Sequence, residues 1–200
     1  MALRFRAVER SACRAIGSRA GMPRSRDDAI RTLEDGHAAL AAAVRSLSDE
    51  QMTRRPALGG GDWSVADLLG HVASWELRAL HVSDLWRLGE PVPSLAEQGG
   101  LDAVNARAVT EWRRRPLDRI RRDATDAHRG LIDLVAGLSD GEWGSLVPMT
   151  GGRRHRLSTM LGSATGGPAG PFAHIEAHLP DVRSYVDSIH AGSTGSGRVR

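Results

Sequence analysis

Two histidines close to the end of the chain have the spacing of a pair of metal ligands. His174 and His178 lie four residues apart in the stretch PFAHIEAHLP. A helix would place both imidazoles on one face, about one turn apart. They are either metal ligands or two histidines that merely share a helix face. A third ligand elsewhere in the chain would favour the metal site. Glu176 falls on roughly the opposite face, which excludes the zinc-peptidase arrangement in which a glutamate directly follows the first histidine.

His71, in the stretch WSVADLLGHVASWE, is the candidate third ligand. It lies between Leu68 and Trp75 on the apolar side of a predicted helix, so it is either a buried, hydrogen-bonded histidine or a ligand. Three inward-facing histidines cost free energy unless each has a partner, and one divalent metal ion would satisfy all three. Three protein ligands leave at least one coordination position open, which is the pattern of a catalytic metal site. No residue stands out as a general base.

Other side chains are candidates for supporting roles. His37 occupies an apolar position of the first predicted helix, where a core histidine with one hydrogen-bond partner is favoured over a ligand. Trp75 could wall the site, although core packing is the favoured interpretation, and Asn105 and Glu111 could face the interior as partners of a ligand N–H. The remaining histidines lie off the apolar faces or in segments expected to be solvated: His81, His128, His155 and His190.

Four amphipathic segments must position these residues. Apolar side chains recur at intervals of three and four, which is typical of helices, and no alternating strand pattern is found. Pro116 is expected to divide the third segment and Pro180 to kink the last one, which begins near Pro171. The stretches LSDEQM and LSDGEW read as turns, and RLSTML as a short helix. The pattern predicts an all-α four-helix bundle, with segments at 25–47, 62–89, 101–138 and 171–189.

Composition restricts the class of partner. The single cysteine, Cys13, excludes an internal disulfide framework, and no apolar run approaches the roughly 18 residues of a membrane span. Of the 27 basic residues, all arginine, seven lie in residues 1–26, whereas residues 27–200 are mildly acidic. The Arg-rich stretch at 113–122 reads as a solvated helix face. We therefore expect a small-molecule substrate, no nucleic-acid or membrane partner, and a cytoplasmic location.

The chain is expected to form one domain between two extensions. Residues 1–22 are Arg-rich, and they read either as a disordered extension resembling a transit peptide or as a start assigned too early, with Met22 as the natural beginning. Residues 23–190 form the predicted bundle. Residues 191–200 are predicted to be a disordered tail.

Two stretches resemble the signature of the DinB-like superfamily of bacterial four-helix bundles. HIEAHLPDVRSYV resembles its final-helix His-x-x-x-His segment, and the likeness extends over about residues 22–190. The most similar groups are the ClbS/DfsB-type bundles and the N-terminal domain of mycothiol-dependent maleylpyruvate isomerase. GGGDWSVADLLGHVASWE resembles the family's Trp-Ser…Asp-Leu…His…Trp motif at Trp63, Ser64, Asp67, Leu68, His71 and Trp75.

The resemblance implies an up-down-down-up bundle that is frequently a homodimer. It also implies a site for nickel or zinc formed by His71, His174 and His178, and a low-molecular-weight thiol as co-substrate; the Arg-, Ala- and Gly-rich composition makes mycothiol the plausible one. The expected function is a thiol-dependent transferase, isomerase or hydrolase acting on a small electrophile. The alternative is a non-enzymatic or metal-free bundle that sequesters a small toxic compound. The Gly- and Pro-rich residues 162–171 before the last helix depart from the family pattern.

Overall fold

The fold is almost entirely helical. The computed structural model describes residues 25–59 and 61–195, so the predicted extension at residues 1–22 lies outside the described residues. Within them are eight α-helices, one 3-10 turn and one two-stranded antiparallel hairpin. The elements are α1 (Arg26–Val44), α2 (Asp49–Thr53), α3 (Val65–Leu88), α4 (Leu101–Trp112), α5 (Leu117–Gly137), α6 (Asp140–Trp143), β1 (Leu146–Pro148), β2 (Arg154–Arg156), α7 (Leu157–Ala164), the 3-10 turn Ile175–Ala177, and α8 (Leu179–Gly195).

The four long helices α1, α3, α5 and α8 form the bundle. Helix α1 runs antiparallel to α5: Arg26, at the start of α1, lies 2.9 Å from Asp140, just beyond the end of α5, and His37 stacks on His128 midway along both helices. Helix α3 runs parallel to α5, because its first half packs on the first half of α5 and its second half on the second. The residues that carry this pairing are Ala66 and Ala73 with Ile120, Ala124 and Ala127, and then Ala79 and Val82 with Leu131 and Leu134.

Helix α8 runs parallel to α1 and completes the bundle. A Cβ placed on Gly36 would lie 3.4 Å from Ile175, just before α8, and Ser46 lies 3.3 Å from His190 near the far end of both helices. The order is therefore up-down-down-up, as the resemblance implied. α8 continues to Gly195, beyond the domain boundary expected at residue 190.

Local capping explains where the helices begin. The Ser64 hydroxyl accepts a hydrogen bond from the Asp67 N–H, and the Asp67 carboxylate accepts one from the Ser64 N–H. This capping box satisfies two otherwise orphaned donors at the start of α3. Ser48 and Ser139 form equivalent boxes, so the stretches expected to be turns are the one-turn helices α2 and α6.

The last helical segment differs from the prediction. No continuous helix starts at Pro171: a 3-10 turn precedes α8, which begins at Leu179. Pro180 therefore lies in the first turn of α8, where its missing N–H has no intrahelical partner to lose, so it does not kink the helix. Pro116 does divide the third segment as predicted, between α4 and α5. The β1–β2 hairpin was not predicted, because strands of three residues are too short to show alternation.

A close approach of α4 fixes the region around His71. A Cβ placed on Gly70 would lie 2.7 Å from the Cβ of Trp112. Real side chains do not pack so closely, so glycine allows α3 and α4 to touch at this level. Helix α4 in turn carries Asn105, which faces the interior beside Trp75.

Candidate metal centre

Three histidines from distant parts of the chain meet inside the bundle. The Nε2 atom of His174 lies 3.2 Å from Nε2 of His71 and 3.3 Å from Nε2 of His178. One ring nitrogen from each residue lies within 4.8 Å of the others. His71 is 1% exposed and His178 is 3% exposed. The predicted candidates are thus brought together; that they bind a metal stays a prediction.

Each of the three histidines is positioned by a different element of local backbone structure. His71 lies in the seventh position of α3, whose start is fixed by its capping box. The His174 N–H donates to the Thr165 carbonyl at 3.0 Å, which ties the Gly- and Pro-rich loop to the end of α7. The His178 N–H closes the 3-10 turn on Ile175, and the His178 carbonyl accepts from Val182 in α8. The turn, and not an α-helical face, brings His174 and His178 together.

Phe172, just before His174, has a left-handed backbone conformation. Phe172 has a φ of 64°, a conformation that bulky residues adopt only where the surroundings hold them in place. Its ring is buried in the core, and its N–H donates to the Gly162 carbonyl at 3.2 Å. This arrangement sets the direction of the chain two residues before His174.

Burial keeps all three imidazoles neutral. Loss of solvation lowers the pKa of His71 well below its usual value, and the neighbouring His174 and His178 lower it further. Burial likewise lowers the pKa of His174 well below its usual value, with a further contribution from His178. Burial lowers the pKa of His178 to about 4. Neutral imidazoles offer the lone pairs that metal binding requires.

Hydrogen bonds alone fit this cluster poorly. A ring nitrogen carries either one hydrogen or one lone pair. Nε2 of His174 faces two other ring nitrogens at hydrogen-bond distance, so a single N–H···N bond satisfies one of these contacts and leaves the other. A cation between them satisfies both. Bonds of about 2.0–2.1 Å to a tetrahedral ion place neighbouring ligand nitrogens about 3.4 Å apart, close to the two separations found here.

A large cavity opens beside the histidines. It has a volume of about 310 Å³, and His71 and His174 both line it. This volume suits a small organic molecule. Most of the other lining side chains are apolar, and they come from α3, α4, α7, the hairpin and the loop before α4: Trp75, Val82, Leu95, Leu101, Met149 and Met160.

Polar side chains also line this cavity, among them Asn105 and Arg78. The Trp75 indole N–H donates to Asn105 Oδ1 at 3.1 Å, and because an indole nitrogen can only donate, this bond fixes which end of the amide is the oxygen. The Asn105 Nδ2 group is buried and has no hydrogen-bond partner among the described residues. Arg78 also lines the cavity and donates to Gln98 Oε1 at 2.8 Å. Within the described residues Arg78 makes no ion pair with a carboxylate.

The remaining candidate residues divide between the cavity and the protein surface. Trp75 lines the cavity as well as the core, with its ring 6.4 Å from that of His174. Asn105 faces inward, whereas Glu111 is exposed and pairs with Arg115. His155, expected to be solvated in a loop, lies in β2 and lines the cavity. Its position depends on the hairpin, which the sequence did not reveal.

A second cluster was missed because His128 falls off the main apolar stripe of its helix. His128 Nδ1 lies 3.0 Å from Glu76 Oε1, and its ring stacks on His37 with centroids 3.6 Å apart and planes 17° apart. Burial lowers the pKa of His37 to about 4, with a further contribution from His128. Burial raises the pKa of Glu76, and its bond with His128 opposes this shift. The three side chains bring potential ligand atoms within 4.8 Å of one another.

The fold and the inward histidines define an all-α, four-helix bundle with a candidate metal centre at one side of its core. Residues 32–165 match the model of the DinB superfamily. The chain belongs to the DinB superfamily. The matched range includes His71 and ends before His174 and His178. No curated protein matches the chain.

Solved structures of low sequence identity share this fold. The colibactin self-resistance protein ClbS in complex with double-stranded DNA has a TM-score of 0.58 at 14% identity, over 87% of this chain and 98% of that one. The mycothiol-dependent maleylpyruvate isomerase has a TM-score of 0.55 at 14% identity, over 78% of this chain and 60% of that one. YfiT from Bacillus subtilis has a TM-score of 0.50 at 17% identity, over 82% of this chain and 87% of that one. It is called a probable metal-dependent hydrolase with an unusual four-helix bundle topology.

The structure and its relatives bear on two of the expected partners, a membrane and nucleic acid. None of the helices in the described part of the chain is long and apolar enough to cross a membrane. The ClbS structure contains DNA, so the expectation that this chain has no nucleic-acid partner gains no support from its structural relatives. The expected homodimer stays a prediction.

Proposed function

We propose that this protein binds one divalent metal ion, nickel or zinc, through His71, His174 and His178, and uses it to transform a small electrophilic molecule. The observation that carries the proposal is the convergence of the three Nε2 atoms. An ion held by three neutral imidazoles keeps open positions and lowers the pKa of a water or thiol that joins it, which supplies a nucleophile near neutral pH.

The chain's own residues would bind and orient the substrate. The apolar walls, among them Trp75 and Leu101, exclude water and accept a hydrophobic body. The Nδ2 group of Asn105, which has no partner among the described residues, and the Arg78 guanidinium offer N–H donors to an oxygen of the substrate. A carboxylate or carbonyl group satisfies these donors best, because a charged or buried donor without an acceptor costs free energy. The proposed substrate is therefore a small, largely apolar electrophile with an anionic or carbonyl oxygen.

The structural relatives support this class of reaction without fixing its members. One of them is a mycothiol-dependent isomerase and another is called a probable metal-dependent hydrolase. A low-molecular-weight thiol such as mycothiol is accordingly the proposed co-substrate, with water as the alternative nucleophile.

Metal content tests the binding step. Wild-type protein, His178→Gln and His81→Gln are loaded with nickel or zinc, freed of excess metal and analysed. His81 is the matched control, because it is an exposed histidine on the same helix as His71. We expect about one equivalent in the wild type and in His81→Gln, and loss in His178→Gln. A wild type that retains no metal would overturn the proposal.

Turnover tests the reaction. The loaded protein is screened against small electrophiles, with and without a low-molecular-weight thiol, and Arg78→Met is compared with the wild type. We expect the wild type to consume electrophiles that carry a carboxylate. Arg78→Met should consume them with a higher KM, and His178→Gln should not consume them. A metal-free protein that binds such a compound without converting it would instead support sequestration.

A further inference from the structure

A second, very small cavity lies behind His174. Its volume is about 10 Å³, and it lies between α1, α3 and the loop that leads to His174. Glu76 and His174 both line it, so His174 borders this cavity as well as the large one. The hydroxyl-bearing residues on its wall are Thr32 and Thr165.

Two residues that line this cavity each carry a buried polar atom with no hydrogen-bond partner among the described residues: Oε2 of Glu76 and Nδ1 of His174. The other Glu76 oxygen is bonded to His128, and the other His174 nitrogen faces His71 and His178. Glu76 is 2% exposed. A buried carboxylate oxygen and a buried ring nitrogen without partners are both costly, so a group that joins them is expected.

The cavity has about the volume of one water molecule. A cavity of roughly 10–15 Å³ holds a water, provided that two to four polar groups surround it. The hydroxyls of Thr32 and Thr165 already donate to the carbonyls of Asp28 and Leu161, and each oxygen keeps lone pairs that accept another bond. The water would accept from His174 Nδ1–H, donate to Glu76 Oε2 and find a threonine oxygen within the same wall.

We propose that Glu76 is a positioning residue of the three-histidine centre, acting on His174 through one buried water. The bridge keeps the hydrogen of His174 on Nδ1, which leaves the lone pair of Nε2 directed at the point shared with His71 and His178. Metal-ligating histidines commonly donate their second ring N–H to a carboxylate or water, which fixes the tautomer and makes the ligand more basic. This inference rests on the metal binding proposed above.

A second metal ion at His37, Glu76 and His128 is the competing role for Glu76. The lone pairs of an imidazole lie in the plane of its ring. The rings of His37 and His128 are stacked with an angle of 17° between their planes, so their lone pairs run side by side instead of converging on one ion. The stacked pair therefore favours a role in which His128 anchors one oxygen of Glu76 and leaves the other for the water.

Metal affinity is the first test. The variant Glu76→Gln keeps the size of the side chain and its bond with His128, but it presents an amide N–H where the carboxylate accepted. Nickel affinity is measured by competition with a coloured chelator on folded protein. We expect binding about 10- to 100-fold weaker than in the wild type. The control His81→Gln changes an exposed histidine on the same helix as Glu76, and it is expected to bind nickel as the wild type does. Equal affinity in Glu76→Gln and the wild type would overturn the proposal.

A readout on metal-free wild-type protein does not depend on any variant. Nitrogen NMR of the histidine rings reports the tautomer of His174, and a high-resolution crystal structure reports the water. We expect hydrogen on Nδ1 and a water bonded to Glu76 and His174. Hydrogen on Nε2, or a cavity without water, contradicts the inference even if the protein binds nickel. If the bridge is found and no metal binds, the proposed function fails while the link between Glu76 and His174 stands.

Discussion

Acid should destabilise the metal-free protein through its buried histidines. Burial lowers the pKa of His178 from 6.5 in the unfolded chain to about 4 in the folded protein. The unfolded state therefore binds more protons between these two values, and stability falls as the pH decreases through this window. The stability that neutral His178 contributes is fully present above the pKa of the unfolded chain, 6.5. It is lost as the pH falls towards the pKa of the folded protein, about 4.

The size of the effect follows from the shift. One pKa unit corresponds to about 1.4 kcal/mol, so the shift of His178 corresponds to about 3 kcal/mol at full protonation and about 2 kcal/mol at about pH 5. His71 and His174 act in the same direction, because burial lowers the pKa of both. The free energy of unfolding of the wild type should fall by at least about 2 kcal/mol between about pH 7.5 and about pH 5.

Urea denaturation at the two pH values, with a chelator present, measures this difference. His178→Gln removes one titrating group, so its loss between the two pH values should be about 2 kcal/mol smaller than that of the wild type. His81→Gln should lose as much as the wild type. If His178→Gln and the wild type lose the same amount, His178 is not held neutral by burial and the electrostatic description of the cluster is wrong.

Three further changes test the packing and the proposed ligand. Gly70→Ala places a methyl group 2.7 Å from the Trp112 side chain and should lower the free energy of unfolding by about 1–3 kcal/mol. Its control is Gly137→Ala, at a helical glycine with open space around it, which should not destabilise the protein. Arg113→Met leaves the buried Asp67 carboxylate without its ion pair and should cost about 3 kcal/mol; the exposed pair of Arg122 is the control, and its removal should cost less than about 1 kcal/mol. Both series are read by urea denaturation, and equal effects of variant and control would contradict the packing. Nickel at about 100 times its Kd should stabilise the wild type by about 2.7 kcal/mol, which a thermal melt reports as a rise in Tm of about 5–10 °C; no rise, or a rise that a chelator does not reverse, would contradict specific binding.

The sequence predicted the bundle because its helices carry their own signals. The spacing of apolar residues marks the long helices, and Ser64 with Asp67 marks the start of α3. Pro116 marks the break between α4 and α5. These signals are local, so they can be read without knowledge of the fold. The order of the helices in space depends on contacts between distant residues, and it came from the resemblance alone.

The surroundings of the histidines could not be predicted in the same way. The 3-10 turn between His174 and His178 depends on the hydrogen bond from His174 to Thr165 and on the left-handed Phe172. His155 reaches the cavity through a hairpin whose strands have three residues each. The pairing of Glu76 with His128 joins two helices across the core. Each of these features arises from tertiary packing, which helical periodicity does not encode.

The most direct measurement of the central claim is anomalous diffraction from crystals of the wild-type protein loaded with nickel or zinc. One peak is expected, at about 2.0–2.1 Å from the Nε2 atoms of His71, His174 and His178, and it should be absent from crystals of His178→Gln. A crystal without this peak, or an ion bound instead between His37, Glu76 and His128, would contradict the account.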